Sequence, residues 1–139
     1  MTCCRCDVLA GMTCRSTDVR VDADPYAIFA CAVAGAKLVV VMGHTACGAI
    51  KGAIDNAQLG SLTGLLSKIK PAVEATRYEG DRTSKNDAFV DEVARTNVRQ
   101  TVSAIRQGSA VLAGLEKEGK IKIVGSMYNL VGGRVDFLA

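Results

Sequence analysis

The single histidine of the chain, His44, and Cys47 stand three residues apart at the end of an apolar run, in GAKLVVVMGHTACGAIKGA from Gly35 to Ala53. An imidazole nitrogen and a thiolate at i and i+3 in a tight turn can be aimed at one point. Zinc suits that pair, since its nitrogen and sulfur distances of about 2.0–2.1 Å and about 2.3 Å are met by a compact turn. Gly43 and Gly48 give the backbone freedom to bend sharply around the site. A helix beginning near Ala49 directs its first N–H groups back at Cys47, which favours the thiolate. The same spacing also fits a plainer arrangement, a turn histidine hydrogen-bonded to backbone beside a small buried cysteine. A cysteine–histidine nucleophilic pair uses the two groups less naturally than metal ligation does. The two glycines do not make a phosphate loop, because Ala49 and Ile50 stand where lysine and serine or threonine are required. No G-x-G-x-x-G follows a strand.

The elements that must position these residues are legible on either side. Asp22 or Asp24 can cap a helix with Pro25 in its first turn, and Tyr26 to Ala34 continues it to Gly35. Lys37 to Met42 is a continuous β-branched apolar run, as expected of a parallel strand covered on both faces. Gly43 to Gly48 reads as a tight turn and Ala49 to Asn56 as the next helix. Leu62, Leu65, Leu66 and Ile69 share a helical face before Pro71 breaks the pattern. Tyr78 to Lys85 is polar and reads as an exposed turn. Asp87 to Gln107 is the longest helix, with Val90, Val93, Ala94, Val98, Val102 and Ile105 on its apolar side. A short helix, Ser109 to Glu118, ends at Gly119. Ile121 to Tyr128 is a strand, and Gly132–Gly133 turns it into the final run Arg134 to Leu138. The pattern predicts one α/β domain over residues 22–139, after an irregular cysteine-rich segment over 1–21. In open parallel sheets ligands bind where strands end, which is where His44 and Cys47 lie.

Composition removes several alternatives. A 49% hydrophobic and 22% charged chain of 139 residues has the make-up of an ordinary globular domain. The net charge of +3 is mild, and Lys and Arg are scattered, so nucleic acid is not an expected partner. Arg95, Arg99 and Arg106 recur on one helix, a spacing that reads as a solvated face. No apolar run approaches the ~18 residues of a membrane span, and the charged amino terminus does not read as a secretory signal. The expected setting is the cytoplasm. Of six cysteines, four fall within the first fourteen residues, too close together to staple the whole chain. Cys31 lies in an apolar helix pattern and reads as core.

The segment FACAVAGAKLVVVMGHTACGAIKGAID, Phe29 to Asp55, resembles the central segment of β-class carbonic anhydrases, an apolar strand followed by G-H-[ST]-x-C-G-A. GSLTGLLSKIKPAV, NVRQTV and GKIKIVGSMYNLVGGRVDFL are similar to family text in order and spacing. The resemblance implies an α/β fold, a parallel sheet with an added edge strand flanked by helices, in subunits that form homodimers or larger assemblies. It implies zinc held by two cysteines and one histidine, with His44 and Cys47 as two of the three. It implies reversible hydration of CO2 to bicarbonate and a proton by a zinc-hydroxide mechanism, since zinc lowers the pKa of water from about 15.7 to about 7. Gly48, inside the motif, is the expected substrate-binding position.

The third ligand is less plain. In the family it comes from an earlier strand, C-x-D-x-R, whose Asp orients the water or caps the metal while the Arg holds the Asp by paired hydrogen bonds. A second strand ending R-N-A-G-N normally intervenes, and this chain lacks it, so the N-terminal strand region is incomplete. In one alignment, MTCRSTDVRVDADPYAIF is a distorted copy of the ligand strand. Cys14 is then the third ligand and Asp18 with Arg20 the dyad, with two extra residues after Cys14 that call for a bulge. In the other, Arg15 to Val21 is a remnant of the intervening strand, and Cys3, Cys4, Cys6 and Cys14 are bystanders or reach the metal by another path. A separate metal knuckle at CCRC lacks a second pair. Two further readings of the whole chain stand beside the enzyme: a catalytically inactive zinc- or bicarbonate-binding relative, and a truncated fragment.

Overall fold

Val39, Val40 and Val41 carry branching at Cβ, which costs little freedom in an extended chain and packs well on a pleated surface. All three are buried. The computed structural model describes residues 25–58 and 60–138. In order these form α1 (Pro25–Ala32), β1 (Leu38–His44), α2 (Gly48–Ile54), α3 (Ser61–Ser67), α4 (Lys70–Ala75), α5 (Asp87–Gly108), α6 (Ala110–Lys117), β2 (Lys122–Tyr128) and β3 (Val135–Leu138). The sheet order among them is β1-β2-β3. β1 and β2 are parallel, in register from Leu38 opposite Lys122 to His44 opposite Tyr128. Such a pair needs a long crossover, which α2 to α6 supply. β3 returns antiparallel to β2, with Leu138 opposite Gly125 and Val135 opposite Tyr128. Its hairpin places Gly132 at φ +86° and Gly133 at φ +68°, left-handed positions where a side chain is strained. The α/β class, the parallel pair and the antiparallel edge strand are as the sequence predicts.

α5, laid across the sheet, gives the core more buried residues than any other element. Its apolar side, Phe89, Val90, Val93, Ala94, Val98 and Val102, is buried against Val39, Val41, Ile123 and Met127. Two glycines permit the approach. A Cβ at Gly43 would lie 2.8 Å from both the Val98 Cγ2 and the Met127 Sδ atoms, and one at Gly125 would lie 2.8 Å from Val98 Cγ1. The methyls of Val98 thus settle between neighbouring strands, which seats α5 immediately behind the end of β1.

Pro71, expected to break a helix, instead stands in the first turn of α4, where its missing N–H costs nothing. The segment from Tyr78 to Lys85 is mostly exposed, as its polarity predicts, and Arg82 ties it to the core. The Arg82 guanidinium donates to the carbonyls of Thr76 (2.6 Å) and Val73 (3.0 Å) and lies 5.0 Å from the centre of the Phe89 ring.

Arg106 lies on the exposed face expected of it, and from there it also holds the start of β2. Among the described residues, β3 pairs with β2 only as far as Gly125, and side chains meet the Ile123 N–H and C=O. Arg106 Nη2 donates to the Ile123 carbonyl (3.0 Å), and Glu116 Oε1 accepts from the Ile123 N–H (3.1 Å). The two side chains are joined by a bidentate pair at 2.7 and 2.9 Å. Together they supply the donor and acceptor that a further strand residue would offer. Arg99 is exposed and Arg95 half-buried, both beside Glu92.

The Arg106 guanidinium holds the Glu116 carboxyl below its ordinary value, against the opposing effect of burial, and the Ile123 N–H adds to the lowering. A carboxyl lowered on folding stabilises the fold above its unfolded value and loses that contribution as pH falls through the folded one. We therefore expect the urea midpoint to drop on acidification below about pH 4.5, and Glu116→Gln to flatten that limb. A variant with an unchanged acid limb would show that the pair contributes nothing measurable.

No described helix is long and apolar enough to cross a membrane.

Candidate metal centre

The ladder between β1 and β2 carries the strand two residues beyond the expected Met42. Gly43 pairs with Met127 and His44 with Tyr128, and the Thr45 N–H then donates to the Tyr128 carbonyl at 3.0 Å. His44 is therefore the last residue of the strand rather than part of the turn. The turn is Thr45–Ala46, and Cys47 is the N-cap of α2. The left-handed residue is Ala46, at φ +53°. Neither Gly43 nor Gly48 has positive φ, which corrects the expectation that their freedom bends the chain. Gly43 is small because Val98 and Met127 leave no room. Gly48 opens α2, and a Cβ built there would meet nothing within 4 Å.

His44 is half-buried, and its Nδ1 lies 2.9 Å from the Thr45 carbonyl oxygen. A carbonyl only accepts, so Nδ1 carries the proton and Nε2 keeps the lone pair that a metal requires. Ligating histidines are usually held in this way by a backbone carbonyl or carboxylate. Cys47, beyond the two turn residues, is completely buried and is not in a disulfide. Cys31 is buried in α1, where desolvation pushes its thiol up and keeps it protonated. It is core, as expected.

Two anchors fix the turn from opposite sides. On the sheet side, the Leu130 N–H donates to Thr45 Oγ1 at 3.1 Å, in addition to the Tyr128 contact. On the helix side, Asp91 of α5 accepts from the Ala46 N–H at 2.8 Å. One helical turn earlier, Asp87 pairs with Lys51 of α2 at 2.7 Å. Thr45 sits inside the quoted motif, but nothing local marks Asp91, 45 residues away from its partner.

Cys14, Asp18 and Arg20 lie outside the described residues, as do Cys3, Cys4 and Cys6. Among the described residues no group of three His, Cys, Asp or Glu side chains could hold a metal ion. His44 ends β1 and Cys47 opens α2 across a two-residue turn, with Gly48 following. An imidazole of the right tautomer and a thiol form a nitrogen–sulfur donor pair that fits zinc. It is two donors of a set that needs one more.

The family model for carbonic anhydrase matches residues 14–135. A carbonic anhydrase of Mycolicibacterium smegmatis is 31% identical over 113 residues, covering 78% of this chain and 52% of that protein. Carbonic anhydrase 2 of Mycobacterium tuberculosis is 31% identical over 111 residues, covering 76% and 51%. The chain thus spans about half the length of the curated relatives it matches. Among solved structures, a β-carbonic anhydrase of Aspergillus fumigatus superposes with a TM-score of 0.66 at 27% identity, over 84% of this chain and 57% of that one. The Coccomyxa β-carbonic anhydrase shares the fold, with a TM-score of 0.68 at 18% identity over 84% and 55%. With a family model that matches residues 14–135 and a curated relative 31% identical over 78% of the chain, the chain belongs to the β-carbonic anhydrase family.

Proposed function

We propose that this chain catalyses the reversible hydration of CO2 to bicarbonate and a proton, with one zinc ion held by His44, Cys47 and Cys14. The observation that supports the reading is the end of β1, where the Thr45 carbonyl holds His44 Nδ1 and a two-residue turn leads to Cys47 at the N-cap of α2. Zinc, when bound, supplies a water acidified from about 15.7 to about 7. The chain's own residues do the rest. His44 offers Nε2, and Cys47 offers a sulfur shielded from solvent. Asp18, held by Arg20, orients the reacting water. Gly48 leaves open space beside Cys47, in keeping with a small substrate there.

A homodimer or larger assembly is the working unit in this reading. Among the described residues only β2 pairs with β1, and an edge without a partner favours association. Two structural relatives from Sordaria macrospora, with a TM-score of 0.67, are described as tetrameric. We place the protein in the cytoplasm, where thiol ligands stay reduced. The inactive alternative draws no support from the relatives, which carry the name of the enzyme.

Stopped-flow CO2 hydration, run with elemental analysis on the same sample, tests the proposal. Zinc near one per chain and hydration well above the buffer rate are expected, and Cys14→Ala should lose the metal. Full zinc with hydration at the buffer rate would replace the enzyme by an inactive zinc-binding relative. Unchanged zinc in Cys14→Ala would move the third donor elsewhere.

A further inference from the structure

We infer that Asp91, on α5, is a positioning residue for the metal centre, acting through the backbone of the turn rather than on metal or substrate. The inference rests on the reading of His44 and Cys47 as zinc ligands.

Ala46 separates the two ligands, two residues after His44 and one before Cys47. Its φ of +53° is a conformation that L-residues with a Cβ adopt reluctantly. A glycine could take it without strain, so an alanine there must be held by something else. The hold is a charge-assisted hydrogen bond, Ala46 N–H to Asp91 Oδ1 at 2.8 Å. Were Ala46 to relax to negative φ, Cys47 would rotate relative to His44 and the two donors would no longer converge.

Asp91 is suited to the task because its own element is packed into the core. The N-terminal half of α5 is fixed by Phe89, which is fully buried, and by the Lys51–Asp87 pair. Further along, Val98 is seated between Gly43 and Gly125. The sheet side of the turn is already held through Thr45, by Tyr128 and Leu130. Asp91 provides the opposing hold, so the bite between the donors is set by two rigid elements rather than by the loop itself.

The test compares wild type, Asp91→Ala, Asp91→Asn and His44→Ala by chelator competition for zinc, with metal-free melting curves alongside. Outer partners of metal ligands typically contribute 10–100-fold in affinity, and a loss of roughly that size is expected for Asp91→Ala. Asp91→Asn keeps Oδ1 as an acceptor and should restore most of the affinity. Adding Ala46→Gly to Asp91→Ala should recover part of it, because glycine takes the left-handed turn unaided. A purely structural role would move the metal-free melting temperature and leave these rescues without effect, and that result overturns the proposal. So does Asp91→Ala binding zinc as wild type does while His44→Ala loses it. Full zinc in His44→Ala overturns the metal-centre reading and this inference with it. Should Asp91→Ala not fold, amide exchange of the wild type decides: a protected Ala46 N–H supports the hold, and exchange at the rate of an exposed turn refutes it.

Discussion

Cys47→Ser is expected to cost the protein its zinc, and His44→Ala to do the same. Zinc takes a thiolate sulfur at about 2.3 Å, whereas a serine hydroxyl stays protonated at neutral pH and reaches less far. The loss should exceed the 10–100-fold attributed to outer partners, because a donor itself is removed. Serine at position 47 also enters a completely buried site. An unsatisfied hydroxyl there destabilises by about 1–3 kcal/mol, so metal loss has to be separated from partial unfolding. His44→Ala provides the control, since His44 is half-buried and its truncation puts no hydroxyl into the core. Zinc content after exhaustive dialysis, with metal-free melting temperatures, reads both effects. If either variant keeps one zinc per chain, the metal is bound elsewhere.

How much of this was legible beforehand varied with the range of the interaction. β1 could be read from its β-branched run, and α5 from a side of six apolar residues, because both patterns are local. The end of β1 could not. Gly43 reads as a turn residue, yet it is small because Val98, 55 positions later in the chain, needs its space. The left-handed position fell on Ala46, a residue type that gives no hint of it. Pro71 was ambiguous for a physical reason, since proline is excluded from helix interiors but welcome in a first turn. Arg106 and Asp91 look like solvated helix positions in one dimension, and only the fold shows what they hold. His44 and Cys47 stood out because their spacing is local and their chemistry specific. The third donor did not, for Cys14 and its neighbours depart from the family pattern.

Phe89→Ala should be among the most destabilising substitutions in the described core, and its consequences should reach the metal turn. Phe89 is fully buried in the first turn of α5. Its ring packs at 5.3 Å and 55° against Tyr78 and lies under the Arg82 guanidinium. Truncation removes the transfer free energy of the ring and leaves a cavity, a loss of about 3–5 kcal/mol. Loss of the aromatic pair, about 0.5–1.5 kcal/mol, is included in such measured values rather than added to them. Against a total of about 5–15 kcal/mol for a domain, such a loss takes most of the margin of a wild type at the low end, so urea midpoints are measured in both. A fall in midpoint with an unchanged slope marks lost stability rather than a changed denatured state. Asp91 lies half a turn beyond Phe89, so a loosened α5 should also weaken zinc binding, whereas Phe89→Leu, which refills most of the cavity, should cost less on both measures. A midpoint shift worth under about 1 kcal/mol would mean that the ring is not what seats the helix.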